Sequence, residues 1–82
     1  MPTFHLALLS PGQIGTIAKI HAEPGLHQRL NALGFREGQA VTVLRRAWFA
    51  GPMHIRIGMT EVMVRRKEAC LVGLSPVAVL AA

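Results

Sequence analysis

The sequence predicts a mainly β protein, a small barrel of about five or six strands with one short inserted α-helix. Two observations predict this fold class. Glycine and proline residues that favour turns recur along the 82-residue chain. Between these turns lie short apolar segments that are β-branched or alternate with polar residues, as strands do. Closure of such strands into a barrel protects their edges, so a barrel is the simplest arrangement.

Two strands are expected before the helix. Residues 4–9 are apolar and are expected to form the first strand, which ends at the Pro11–Gly12 turn. Residues 14–20 are rich in β-branched side chains and form the second. Gly15 within this strand indicates a bulge or a close approach of the backbone to another group. The Pro24–Gly25 pair then ends the strand.

The hydrophobic period becomes helical in the next segment. Leu26, Leu30 and Leu33 are spaced at i, i+4 and i+7, which places them on one face of a helix. Gly34 follows the last leucine, at the position where a glycine commonly ends a helix. A helix of about two turns is unstable alone, so we expect its leucine face to pack on the barrel. Gly38 is expected to shape the turn into the next strand.

The second half of the chain returns to the period of a strand. In residues 53–57, apolar side chains alternate with His54 and Arg56, so one face is predicted to be buried and the other solvated. These segments fit a small SH3-like or OB-like barrel. The predicted elements of this half are strands over 40–46, 53–57 and 61–65, a helical turn over 67–70 and a last strand over 71–74.

The apolar content is high for so small a chain. Hydrophobic residues make up 51% of it, and the formal net charge is +5. This combination excludes a disordered chain, and one domain is the natural interpretation. We place that domain at 1–76 and interpret 77–82 as an apolar tail. The tail has no polar face, so it must pack on its own barrel, on a second copy or on a partner.

The single cysteine and the hydropathy pattern indicate where the protein works. Cys70 has no second cysteine with which to form an internal disulfide, which favours a reducing compartment. No apolar stretch reaches the ~20 residues of a spanning helix, and the N-terminus lacks the basic region of a secretory signal. We therefore expect a cytoplasmic protein without direct membrane insertion.

No group of residues meets the requirements of a catalytic site. A hydrolytic triad needs a nucleophile, a base and an orienting group. Ser10 and Ser75 precede prolines, and Cys70 lies among apolar residues. A glycine-rich phosphate loop is absent as well. The sequence predicts a protein that is not an enzyme and requires no cofactor.

Histidines near the start of the helix are candidate ligands for a surface transition metal. His21 and Glu23 share a face if the chain is extended there, and His27 follows the intervening turn. Imidazole and carboxylate groups suit zinc or iron. A second interpretation is that all three are solvated surface residues, since their spacing matches no closed structural zinc site. A third is a metal-responsive homodimer, in which His21 or His54 with a glutamate bridges two copies.

Basic residues cluster on the strands of the second half. Arg56 and Arg65 point outward if their apolar neighbours point inward, and Arg45 lies on the adjacent strand. Such a surface suits an acidic protein or phosphates, and it also suits an ordinary solvated face. Trp48 and Phe49 form either a partner-contact loop or a cover over one end of the barrel. Base stacking on these aromatics supports the alternative of a small nucleic-acid-binding barrel.

One segment carries a recognisable motif, RL-x-x-LG-x-x-x-G, over residues 29–38. With the signals around it, the chain resembles the FeoA family, small SH3-like barrel proteins associated with bacterial ferrous iron uptake. The resemblance covers roughly residues 6–75. Leu30, Leu33, Gly34 and Gly38 define the motif through folding roles, and they mark no reaction centre. The other matching segments are 8–12, 41–43, 51–52 and 62–65.

The resemblance implies an accessory role. Proteins like FeoA act with FeoB, the membrane transporter of ferrous iron, which has a cytosolic G-protein domain. We therefore expect this chain to contact the cytosolic part of an FeoB-like transporter and to modulate it. A nucleic-acid partner is not expected, and a homodimer is a further expectation.

Overall fold

The first strand follows a short 3₁₀ helix, and the last strand of the described residues ends at Ala81. The computed structural model describes residues 4–47, 51–75 and 80–81. The elements are a 3₁₀ helix over Leu6–Leu8, β1 (Gln13–Ile20), α1 (Pro24–Ala32), β2 (Ala40–Arg46), β3 (Met53–Ile57), β4 (Thr60–Val64), α2 (Arg66–Ala69), β5 (Val72–Leu74) and β6 (Leu80–Ala81).

Within the described residues, six strands form one antiparallel sheet. Its order is β4-β3-β2-β1-β5, and β6 also pairs with β1. Strand β1 pairs with three others, because Ile14 to Thr16 pair with β2, Ile17 to Ile20 pair with β5, and its first two residues pair with β6. Register shifts interrupt both β1 and β2, and such irregularities bend a strand and increase its twist. The predicted mainly β fold with an inserted helix is confirmed.

The core joins residues from the strands, the 3₁₀ helix and both α-helices in one cluster. β3 shows how alternation builds it. Its apolar residues are buried, whereas His54 is half-buried and Arg56 is exposed on the other face. The alternation predicted for this strand is therefore confirmed. The large side chains that are fully buried are Phe35, Leu6, Leu9, Ile17, Leu30, Met53, Ile55, Val41, Val43, Val64 and Val72.

The end of α1 explains the motif that the sequence carries. Gly34 adopts a φ of 107°, which a residue with a Cβ rarely does. Its N–H donates to the carbonyl of Asn31, and the N–H of the next residue donates to the carbonyl of Leu30. This pair of bonds satisfies two carbonyls that the helix leaves free. Leu30 is fully buried and Leu33 is half-buried, so both leucines tie the helix to the core. Gly38 also has a positive φ, 86°, in the turn that leads to β2.

The predicted first strand over residues 4–9 is wrong. Leu6–Leu8 form a 3₁₀ helix, and of this segment His5 alone forms a bridge, to Gly73 of β5. The N–H of Leu9 donates to the carbonyl of Leu6. This tight turn buries Leu6, Ala7 and Leu9 together, whereas a strand would point Leu6 and Ala7 to opposite faces. Burial of three apolar side chains therefore decides the conformation.

The C-terminal residues return to the barrel. Leu80 and Ala81 pair through their backbone with Ile14 and Gln13 at the start of β1. The division of the chain into a domain over 1–76 and a tail over 77–82 stays a prediction, because residues 76–79 lie outside the described part. Among the described residues, no helix is both long enough and apolar enough to cross a bilayer.

Candidate protein-interaction surface

Two arginines stand on the outward side of β2 and β3, and we call this pair the basic face. Arg45 lies opposite His54 in the register of β2 and β3, and Arg56 follows two residues further along β3. Both arginines are exposed. Within the described residues neither is part of an ion pair. Their charges are therefore available to a negatively charged partner.

Arg65 is not part of that pair and lines a groove on the surface. It directly follows β4 and is exposed. The groove, which we call the basic groove, lies between α2 and the two residues that directly precede β3. Within it, Nε of Arg66 is buried without a hydrogen-bond partner among the described residues. The groove is lined by Gly51, Pro52, Arg65, Arg66, Lys67 and Cys70.

Sequence reasoning missed the part that Cys70 and Pro52 take in this groove. The sequence indicates that Cys70 lies among apolar residues, and in the structure it is half-buried at the end of α2. The run of three basic residues from Arg65 to Lys67 was the available signal. Pro52, which directly precedes β3, lines the same groove, and no local sequence pattern predicts that contact.

An ion pair joins the two helices and was not predicted. Nη2 of Arg29 on α1 donates to Oε2 of Glu68 on α2. The carboxylate is largely buried, with 10% of its side chain exposed, whereas 56% of the Arg29 side chain is exposed. A carboxylate in such a place needs a charged partner, since burial of an unpaired charge is costly. The pair therefore fixes α2, and with it Arg65 to Lys67, against α1.

The three candidate metal ligands are not gathered into a site. Within the described residues, no group of three or more His, Cys, Asp or Glu side chains is placed to hold a metal ion. His21 and Glu23 are exposed. Nδ1 of His27 lies 3.1 Å from Nδ2 of Asn31, one helical turn further on. Metal binding by these residues stays a prediction.

A histidine and a glutamate do meet elsewhere on the surface. Nε2 of His54 on β3 lies 2.9 Å from Oε1 of Glu61 on β4. The two residues are diagonal neighbours, because Glu61 lies opposite Arg56 in the register. Such a pair supplies two of the ligands that a bridging metal needs. Trp48 and Phe49, the aromatic candidates for partner contact, lie outside the described residues.

A family model describes nearly the whole chain. The model of the FeoA domain matches residues 4–76. The chain belongs to the FeoA domain family. The resemblance found in the motif of residues 29–38 is thereby confirmed, and the family is associated with ferrous iron transport.

Solved structures agree with this assignment. Iron(II) transport protein A from Clostridium thermocellum is 27% identical, with a TM-score of 0.84, over 90% of this chain and 46% of that one. The FeoA protein from Chlorobium tepidum is 28% identical, with a TM-score of 0.82, over 92% of this chain and 71% of that one. This FeoA domain thus spans about half the length of the first structure.

A third structure identifies the architecture. FeoA from Stenotrophomonas maltophilia, solved in complex with zinc and described as a procaryotic SH3 domain protein, has a TM-score of 0.84. It is 22% identical over 96% of this chain and 98% of that one, so the likeness shows the fold. The fold of this FeoA domain is therefore an SH3-like barrel, as predicted. No curated protein matches the sequence.

Proposed function

We propose that this FeoA domain is a cytosolic accessory protein of ferrous iron uptake. It contacts the cytosolic part of an FeoB-like transporter, modulates transport and carries out no catalysis. The FeoA match over residues 4–76 is the observation that supports this function. For S. maltophilia FeoA, action as a bacterial ferrous iron transport activating factor has been suggested, which fits an accessory role.

The basic face is the contact surface that we propose. Arg45 and Arg56 are exposed, and the chain has a formal net charge of +5. Charged groups of this kind steer association and fix the register of a complex with a surface of opposite sign. We therefore place the contact on an acidic patch of the transporter. Preference for one conformation of the transporter would bias its equilibrium by the difference in affinity.

Co-purification tests the proposal. The tagged chain is incubated with mild-detergent membrane extract from cells that express an FeoB-like transporter, and the recovered transporter is quantified. We expect the wild-type chain to recover it and the Arg45→Ala/Arg56→Ala variant to recover about tenfold less, because two charge contacts are lost. Arg36→Ala removes one charge from a turn outside the basic face and should bind like wild type.

Two results would contradict the proposal. One is the absence of the transporter from the wild-type eluate. The other is equal recovery by wild type and by the double variant, which would show that the contact does not use the basic face. Thermal melting of each variant controls for unfolding.

A metal-bridged homodimer is the second candidate. The observation in its favour is the pair formed by His54 and Glu61, with 2.9 Å between Nε2 and Oε1. The zinc complex of S. maltophilia FeoA adds support. Calorimetric titration with zinc should then show binding that His54→Ala removes and His21→Ala retains. Equal affinities in all three proteins would exclude a site at His54.

A further inference from the structure

The outer edge of β4 is open. Among the described strands, β4 pairs with β3 alone and ends the sheet order. An edge of this kind presents unpaired N–H and C=O groups to any strand that can align with it. Two large apolar side chains are exposed here, since Met63 of β4 is 59% exposed and Met59, in the turn before β4, is 99% exposed. Both methionines therefore expose apolar surface that a second strand could cover.

The outward residues of this edge are complementary to themselves. Glu61, Met63 and Arg65 alternate with valines and are all exposed. In an antiparallel pair centred on Met63, Glu61 lies opposite Arg65 of the second copy, and Arg65 lies opposite its Glu61. The two methionines meet between these ion pairs. Directly opposed residues of unlike charge stabilise an antiparallel pair, and so do apolar ones.

Neighbouring registers lack this match. Centring on Val62 places Glu61 opposite Met63, and Arg65 opposite Met59, so each charge faces an apolar side chain. Centring on Val64 places Arg65 opposite Met63 and Glu61 opposite Lys67, which belongs to α2 and cannot pair as a strand residue. In the register centred on Met63, Glu61 and Arg65 each lie opposite a residue of unlike charge. The two-fold axis of the dimer repeats this ion pair, so two of them form.

We propose that two copies of this chain associate through β4, antiparallel and centred on Met63, to continue the sheet across the dimer. The Glu61 carboxylate can serve both neighbours, because His54 contacts Oε1 and Oε2 is left for the arginine of the second copy. A five-residue edge buries less than the ~1,000 Å² of a stable interface, so the dimer is weak and concentration-dependent. The proposal concerns the isolated chain and does not depend on the transporter.

Sedimentation equilibrium tests the dimer from about 10 µM to 1 mM protein, a range in which weak association is measurable. A chelator is present throughout, so that no metal bridges the copies. We expect reversible dimerisation of the wild type. Glu61→Arg places like charges opposite each other at both ends of the strand, as does Arg65→Glu, and each should weaken the dimer by about tenfold or more.

Mixing the two variants gives the decisive measurement. In an equimolar mixture, residues of unlike charge again lie opposite each other at both positions. The two variants should therefore form a heterodimer, although the homodimer of either variant is weak. The double variant Glu61→Arg/Arg65→Glu should again dimerise like wild type. Glu37→Arg and Arg36→Glu make the same charge changes at exposed sites away from β4 and should leave dimerisation unchanged.

Three results would overturn the proposal. The first is a wild-type chain that stays monomeric across the whole range. The second is a dimer that both single variants form as well as wild type, because association would then use another surface. The third is a mixture that stays monomeric although each variant melts like wild type. Co-purification of the transporter is measured separately, so its failure has no bearing on these outcomes.

Discussion

Gly15 shows how the absence of a side chain permits close packing in the middle of β1. A Cβ at this position would lie 3.0 Å from Cδ1 of Leu74 and 3.3 Å from Cδ1 of Leu9. Both leucines are buried, so their freedom to move aside is limited. The sequence indicated a bulge or a close approach at this glycine, and the structure shows the close approach.

We expect Gly15→Ala to lower the free energy of unfolding by about 1–3 kcal/mol, the usual cost of overpacking a core. Urea denaturation measures the difference. Gly25→Ala is the matched control, because a Cβ there meets nothing within 4 Å. It lies in the first turn of α1 and should raise stability by about 0.5 kcal/mol. A stability change of the same sign in both variants would contradict this packing argument.

The ion pair of Arg29 and Glu68 is the other residue-scale contact that matters. As a whole residue Glu68 is 7% exposed. Loss of Arg29 leaves its carboxylate without this partner. We expect Arg29→Ala to lower the free energy of unfolding by about 1–2 kcal/mol, less than for a fully buried pair because Arg29 is half in solvent. Thermal and urea melts against Arg36→Ala, an exposed arginine, measure it. Equal stability of the two variants would show that the pair contributes nothing.

At the scale of the element, α1 depends on one leucine more than on the others. Leu30 is fully buried and Leu26 is half-buried, although both belong to the same predicted stripe. A helix this short has little stability of its own, so packing holds it in place. The stripe marked the buried face correctly, and the depth of each leucine depends on what lies opposite.

We expect Leu30→Ala to lower the free energy of unfolding by about 2–5 kcal/mol, the range for a buried leucine that leaves a cavity. Leu26→Ala should cost about half as much or less, because it removes less buried area. Denaturant unfolding compares the two, and circular dichroism checks that each variant is folded beforehand. A larger loss for Leu26→Ala would contradict the conclusion that Leu30 contributes more than Leu26 to holding α1 in place.

At the scale of the whole molecule, the distribution of charge predicts the salt dependence of partner binding. The formal net charge is +5, and Arg45 and Arg56 leave their charge unpaired among the described residues. Screening shortens the reach of such charges to about 8 Å at physiological ionic strength. Association with an acidic surface should therefore slow as salt rises, while dissociation changes less.

Biolayer interferometry against the cytosolic part of the transporter can test this from about 50 to 500 mM NaCl, where the Debye length falls several-fold. The wild-type association rate should drop about tenfold, and the Arg45→Ala/Arg56→Ala variant should show a shallower slope. A salt-independent rate would exclude steering by the basic face. Tight, salt-dependent binding to nucleic acid instead would favour the alternative of a nucleic-acid-binding barrel.

Patterns over a few neighbouring residues predict most of the helices and strands, and they carry the resemblance to the family. Alternation of apolar and polar residues predicted β3, the leucine spacing predicted α1, and Gly34 predicted the end of that helix. Each of these signals depends on residues only a few positions apart. The motif over residues 29–38 belongs to the same class, since its leucines and glycines build one helix and the two turns after it. These local patterns predict a small barrel, and the motif carries the resemblance to the FeoA family.

Contacts between residues that are far apart in the sequence form only in the folded barrel. The 3₁₀ helix over Leu6–Leu8 replaces an expected strand because burial of three neighbouring apolar side chains outweighs local β preference. The Arg29–Glu68 pair joins residues 39 positions apart, and the open edge of β4 follows from the sheet order. Chain closure over such distances depends on the packing of the whole barrel, which no local pattern encodes. The basic face and the basic groove belong to this second class, since each one combines residues from separate elements.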